Sequence, residues 1–451
     1  MSHVRAIPWL VSVVLGLIAA GGAAAAEEEG AKGGDRAGRP EIDWSLEAKA
    51  HFRDSDAERF PVRILALPPE IQDQALATVD PGSHIELSTV TLHLDATWGD
   101  SLSAGLKLDF IDLYDRNPTS TDQEWDLDEA WLRFGREAEP ALVPEDPGAY
   151  LKVGKFPKFE RQDDRHLESY GLVSTAFNRF EDTGVELGVD LGRFAYVKAS
   201  VTQGNPLFMR DPNALAGDNG LRDQLLGLRT PELGSGFVIP YDAEGEDLDT
   251  DGDAQVGVGV GLRFGRAGGE DGFELLAFGR RRDLAETVEF DGTLYGGDLD
   301  LLRGPANLFP FPLTGDQKEE VGGNVWLYLG GFTLFAQYVD QDLGGLQRTG
   351  AEAELAWRFE LPVGAALGGS QLFPSIQPAV RWSRLDPDFL PPAGGPTPSF
   401  AWEWEKIDWG VRLGIVEGID LTAEFADHTI TLVSGAKRSN DELLVTLRWR
   451  T

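Results

Sequence analysis

Apolar and polar residues alternate with a period of two along most of this chain. Val90, Leu92, Leu94, Ala96 and Trp98 share one face of a segment whose other face carries Thr89, Thr91, His93, Asp95 and Thr97. Alternation sustained over about ten residues marks a strand whose two faces meet different surroundings. The pattern resumes after Gly99 and Asp100, and it returns at Val185–Leu191, Val256–Phe264, Ala351–Phe359, Ile407–Ile415 and Leu443–Trp449. Sixteen such segments are predicted: 43–52, 88–98, 101–112, 125–135, 149–156, 182–191, 193–202, 254–265, 272–282, 320–329, 331–341, 349–360, 373–384, 404–416, 418–433 and 441–450.

The connections sort by parity. Those after even-numbered strands are mostly tight, as at Gly192–Arg193, Gly330–Gly331 and Glu417–Gly418. Those after odd-numbered strands are mostly long: 53–87, 157–181, 203–253, 283–319 and 385–403. Short turns at one end and long loops at the other are the signature of an outer-membrane barrel. The expected fold is therefore all-β, a transmembrane antiparallel β-barrel of sixteen to eighteen strands, with 283–292 as room for more strand. A soluble sandwich also alternates, but its strands are shorter and its outward faces are polar. Here the outward faces are nearly uncharged. Aromatic residues gather near strand ends (Trp44, Phe52, Trp98, Phe110, Phe264, Trp357, Trp404 and Trp449) as an interfacial girdle requires.

If the apolar face meets lipid, the alternate residues face inward. That set carries charges of both signs, with Arg133, Lys152, Arg263, Arg358, Arg381, Arg412 and Arg448 as candidate pore-lining cations. Charges enclosed without water are costly, so the mixture implies either a hydrated channel or a dense ion-pair network. The loop 157–181 has a charged half, Lys158, Glu160, Arg161, Asp163, Asp164, Arg165, His166 and Glu168, followed by an apolar half from Tyr170 to Phe180. Folded inward it would bury its rings and hold its charges across the lumen as a constriction. The alternative is a loop packed on its neighbours outside.

Composition narrows the function. The 451 residues include no Cys, which removes thiol chemistry and Cys-ligated metals, and the formal charge of −35 argues against nucleic acid as a partner. Arg5, the apolar run from Ile7 to Ala20 and the Ala24–Ala26 site read as a secretory signal peptide over 1–26, with a polar tail over 27–42 and the barrel over 43–451.

The segments AYLKVGKFPKFERQ (149–162), NRFEDTGVELG (178–188) and YVKASVTQGNP (196–206) resemble the phosphate-selective porin family. Gly154, Lys155 and Phe156 match its first element and Asp182, Gly184 and Val185 its second; Gly204 and Asn205 match the third in reversed order. The resemblance implies a sixteen-stranded homotrimeric channel for anions. It places the chain in the outer membrane of a Gram-negative bacterium, among lipid and lipopolysaccharide.

Two other chemistries are expected to be minor. Asp247, Asp249, Asp251 and Asp253, with Gly252, give alternate carboxylates suited to Ca²⁺ in an outer loop, though Val258 stands where an EF-hand needs Glu. No other cofactor is implied. Asp427 and His428 are adjacent on a strand and so face opposite sides, and His93 with Asp95 has no nucleophile motif nearby, so no enzyme is expected. The reading is a passive channel for small hydrophilic solutes. Its rivals are a polysaccharide or secretion exporter similar to the alginate-export family, and a non-conducting structural barrel.

Overall fold

The computed structural model describes residues 40–56, 59–63, 69, 73–77, 82–99, 101–112, 126–162, 164–177, 179–204, 254–284, 314–362, 364–389 and 402–451. Sixteen long strands follow one another around a closed antiparallel barrel. They are β1 (Glu41–Ser55), β2 (Gly82–Trp98), β3 (Leu102–Asp112), β4 (Asp126–Gly135), β5 (Ala149–Pro157), β6 (Glu181–Asp190), β7 (Ala195–Thr202) and β8 (Gln255–Gly265). The circuit continues with β9 (Gly272–Asp283), β10 (Gln317–Leu329), β11 (Phe332–Leu343), β12 (Leu346–Trp357), β13 (Ser375–Asp388), β14 (Glu403–Val416), β15 (Ile419–Thr431) and β16 (Glu442–Arg450). β1 pairs with β2 on one side and β16 on the other, from Glu47 opposite Arg450 to Ser55 opposite Glu442. Closure leaves no free sheet edge, which lipid would not tolerate.

The first strand opens at Glu41 rather than at 43, and β12 opens at Leu346 rather than at 349. The earlier opening of β12 follows from a tight Gly344–Gly345 turn, which makes β11–β12 the exception among the longer loops. At the opposite end, Gly330 and Gly418 take left-handed backbone (φ 57° and 77°), which the tight β10–β11 and β14–β15 hairpins need.

The outward rows are apolar and exposed: Val256, Val258, Val260 and Leu262 on β8, and Ile407, Trp409 and Val411 on β14. Exposure of that kind over whole strands fits hydrocarbon and not water. A girdle rings the short-turn end, where Phe264 packs on Phe273 and Trp357 stacks on Phe359, with Trp44 and Trp449 exposed beside β1 and β16. Trp404 does not belong to it. The β14 pleat turns Trp404 inward, where it is buried against Trp402 and His428.

The inward rows are less uniformly polar than their charges suggest. Leu276, Phe278, Trp326, Phe335, Val339, Leu385 and Ile430 form an apolar shelf inside the barrel. The charged inward residues are buried in ion pairs. Arg381 is fully enclosed with Asp408 and Glu354, and Arg263 is held by Asp190 and Glu274. β12 ends at Trp357, so Arg358 lies half-exposed on the rim, paired with Glu360. Arg381, Arg412 and Arg448 each face a carboxylate.

Candidate functional site

The loop between β5 and β6 (158–180) leaves the wall at a neck, where the Lys158 amide donates to the Phe180 carbonyl (3.0 Å). It then crosses inside the barrel. Irregular backbone withdrawn from water needs a partner for each polar group, and the inner wall supplies them. Glu354 accepts from the His166 amide (2.9 Å), Glu424 from the Glu168 amide (2.8 Å) and Glu352 from the Val173 amide (3.2 Å). In the other direction Asn324 and Gln337 donate to the Glu160 carbonyl (2.6 and 3.0 Å), Lys406 to the Tyr170 carbonyl (2.8 Å) and Arg348 to the Ala176 carbonyl (2.6 Å). The donors and acceptors come from β10 to β15, the wall opposite the loop's own strands.

A five-residue helix, α1 (Leu172–Ala176), ends the crossing. One turn of helix is not stable alone in water. Here its free amides meet Ser383 and Glu352 and its last carbonyl meets Arg348, so the wall caps both ends. Leu172, Val173, Ala176 and Phe177 are buried against the apolar shelf. Three inward glycines make room for the loop: Gly259 under Phe159, Gly350 under Phe177 and Gly410 under Leu167, where a Cβ would press into the side chain above it.

The charged half of the loop disperses its side chains to different walls. Lys158 is buried near Asp182, and burial lowers its pKa below the usual lysine value. Glu160 is fully buried between Arg179 and Arg280; burial would raise its pKa, but the two guanidiniums outweigh that and hold it below 4.5. Arg161 pairs with Glu181 and lies 3.7 Å from Glu129. Asp164 is exposed, with His166 3.5 Å away, and the Arg165 guanidinium lies 3.8 Å from the centre of the Tyr170 ring. His166 Nδ1 sits 2.9 Å from Glu354. Glu168 reaches the far wall, 3.0 Å from Lys49, 3.1 Å from Arg412 and 3.7 Å from Arg448. Asp163 lies outside the described residues, as do Asp247, Asp249, Asp251 and Asp253.

Two cavities lie between the loop and the short-turn end. One of about 720 Å³ is bounded by Asp164, His166, Arg412, Asp420, Arg448 and the rim residue Arg358. The other, of about 250 Å³, has Lys158, Phe159 and Arg161 from the loop and Arg133, Lys152 and Arg263 from the wall. Each carries cations and carboxylates side by side. Beside the smaller one, Asp128, Glu129 and Glu181 bring carboxylate oxygens within 4.8 Å of one another. Lys107 pairs with Asp128 and Arg161 with Glu181, so the cluster is tied into an ion-pair network.

No family model matches the chain, and no curated protein matches it. Solved structures with a similar path include OprB of Pseudomonas putida (10% identity, 91% of this chain and 94% of that one, TM-score 0.49). DcaP of Acinetobacter baumannii, an outer membrane channel, matches at 10% identity over 93% of this chain and 100% of its own, with a TM-score of 0.49. An anion-selective porin from Comamonas acidovorans matches at 9% identity over 92% and 100%, with a TM-score of 0.48.

The residues that anchor the loop, Glu352, Glu354, Glu424, Lys406 and Arg348, belong to the inward charged rows, but sequence reasoning did not assign them that task. A usable signal was the set of inward glycines, since small residues in a row of large ones mark where something lies against the wall. The electrostatics of Glu168 give a first expected result. Burial alone would raise its pKa, and Lys49, Arg412 and Arg448 outweigh it, leaving the carboxyl well below the ordinary 4.5. A depressed pKa means that this anchor holds above 4.5 and is lost only as pH falls through the lower folded value. Any conductance difference between wild type and Glu168→Gln should therefore persist down to 4.5 and vanish only in stronger acid, as planar-bilayer recordings across a pH series would reveal.

Proposed function

We propose that this chain is an outer-membrane porin of a Gram-negative bacterium, a passive channel for small hydrophilic solutes narrowed by the 158–180 loop. The observation that carries the reading is that loop itself: an irregular segment folded inside a closed sixteen-strand barrel, with its backbone amides and carbonyls anchored by wall side chains. A segment held in this way sets the size of the opening, and the charges beside it set the field a solute crosses. Lys158, Arg161 and Arg165 make small anions the solute class to test first, and a homotrimer embedded in lipid and lipopolysaccharide is the assembly that goes with this reading. The mechanism needs no cofactor and no bond-making step.

A second reading, a structural barrel without conductance, is favoured by one feature: the described inward charges are almost all buried in ion pairs. Single-channel recording in a KCl gradient separates the two. Stable stepwise conductance is expected, with the reversal potential reporting ion preference. A correctly folded barrel that never conducts would overturn the porin reading and leave the structural one. A wide polymer path, as an exporter needs, is disfavoured by a loop crossing the lumen.

A further inference from the structure

The turn between β4 and β5 (136–148) does not hang below the barrel. It bends up into the short-turn end and packs on β9 and the turn that precedes it. The Ala141 amide donates to Glu274 (2.6 Å), and the Gly268 amide donates to the Val143 carbonyl (3.0 Å). Ala141 and Val143 are buried, and Ala141 adopts left-handed backbone (φ 60°), a conformation that is costly for any residue with a Cβ. Something on the wall holds the turn there against that cost.

Its second residue shows what. The Glu137 carboxylate lies 2.8 Å from Lys152, 3.0 Å from Lys198 and 3.2 Å from Arg133. Burial would raise its pKa, but Lys198 and Lys152 keep it well below the ordinary value, so it is a carboxylate at neutral pH. All four residues line the 250 Å³ cavity beneath the 158–180 loop, and so do Trp131, Phe159 and Trp326. The cations are laid against rings: Lys152 is 5.6 Å from Trp131 and 5.4 Å from Tyr150, and Arg133 is 5.6 Å from Trp131. At about 250 Å³ the cavity lies just below the usual range of ligand sites, roughly 300 to 1,000 Å³, which limits it to a small ligand.

We propose that this chamber is a binding site for a single-ring aromatic carboxylate, and that Glu137 is its built-in competitor. Arg133, Lys152 and Lys198 converge on Glu137, with Glu186 a further carboxylate 3.9 Å from Lys152, so the site has the geometry for another carboxylate in Glu137's place. The rings that share the cavity give a planar hydrocarbon body the contact that a bare acid lacks. A solute that takes the cage releases Glu137 and with it the first residues of the turn, coupling occupancy to the opening at that end. How the ligand arrives rests on the pore reading; the binding does not.

The test is titration calorimetry on the full chain in detergent, with benzoate, acetate and inorganic phosphate as probes, on protein that keeps the gel mobility of a folded barrel. Wild type should bind benzoate in preference to acetate and phosphate. Glu137→Gln should bind benzoate about tenfold tighter or more, the gain from removing a competitor held by charge-assisted hydrogen bonds. Trp131→Leu should erase the preference of benzoate over acetate, and Lys198→Gln should weaken benzoate binding with Glu137 intact. Benzoate binding no tighter to Glu137→Gln, or phosphate and acetate binding as well as benzoate in wild type, would overturn the proposal. KCl conductance of the same preparations reports on the pore separately, so failure of one reading leaves the other standing.

Discussion

Arg381→Met is expected to destabilise the barrel by about 3–5 kcal/mol, the usual cost of removing one partner from a buried charge network. The guanidinium is fully enclosed on β13. Its Nε and Nη2 donate to Asp408 on β14 (2.9 and 2.8 Å), its Nη1 to Glu354 on β12 (3.3 Å), and its Nη2 also to Ser169 on the loop (2.5 Å). Methionine fills much of the space but leaves two carboxylates facing each other's field with fewer donors. Lys406 (2.9 Å from Asp408) and His166 remain, so unfolding should stay cooperative rather than be abolished. Arg381→Lys should recover only part of the loss, since an ammonium cannot serve two carboxylates and a hydroxyl in the geometry of a planar fork. Urea unfolding in micelles, followed by tryptophan fluorescence, measures both. A loss within about 1 kcal/mol would mean that the network behaves like a solvated surface pair, and the enclosure of Arg381 described above would then be wrong.

The second large effect is on the opening. Gly171→Val should raise single-channel conductance several-fold while costing the barrel less than Arg381→Met does. The Gly171 backbone lies directly against the Glu352 carboxylate, and any Cβ there would overlap it. Glu352 is also the acceptor for the Val173 amide. A side chain at 171 therefore displaces the carboxylate and uncaps α1 in one step. With its first turn unsupported, the helix loses its seat and Phe177 leaves the shelf beside Gly350. The strands themselves are untouched, which is why the barrel should survive. Unchanged conductance in a folded Gly171→Val channel would show that the 158–180 loop does not set the width of the path.

The sheet was legible because every strand has a lipid face and a lumen face, and a period of two is hard to mistake when it runs through Val256–Phe264 or Leu443–Trp449. Strand ends moved by a few residues where the pattern gave no contrast, as at the two glycines before Leu346. The lumen was less legible. Trp404 reads as a girdle residue by its place near a strand end, yet the pleat puts it inside, because this barrel seats an apolar helix against its own wall. Arg358 reads as inward by parity, and the strand ends one residue before it. The loop's inward course followed from its rings, whereas the anchoring of its backbone depends on carboxylates some 179 to 256 residues away in sequence. The 136–148 turn carries no pattern of its own: what holds it is Glu274 and a cage of three cations, which only the closed barrel brings together.

The seam between β1 and β16 has a consequence for how the molecule comes into being. Leu46 meets Thr451 across a sequence separation of 405 residues, and Arg450 meets Glu47 beside it. No local contact can stand in for that pairing, so the ring stays open until the last strand has been delivered, and the entropy of joining the two ends is met only then. Until that moment both terminal strands expose unpaired backbone and a lipid-seeking row of Leu443, Leu447 and Trp449 in water. Biogenesis of this chain is thus a race between sealing and aggregation, and the pairing of β16 with β1 is the step that ends it.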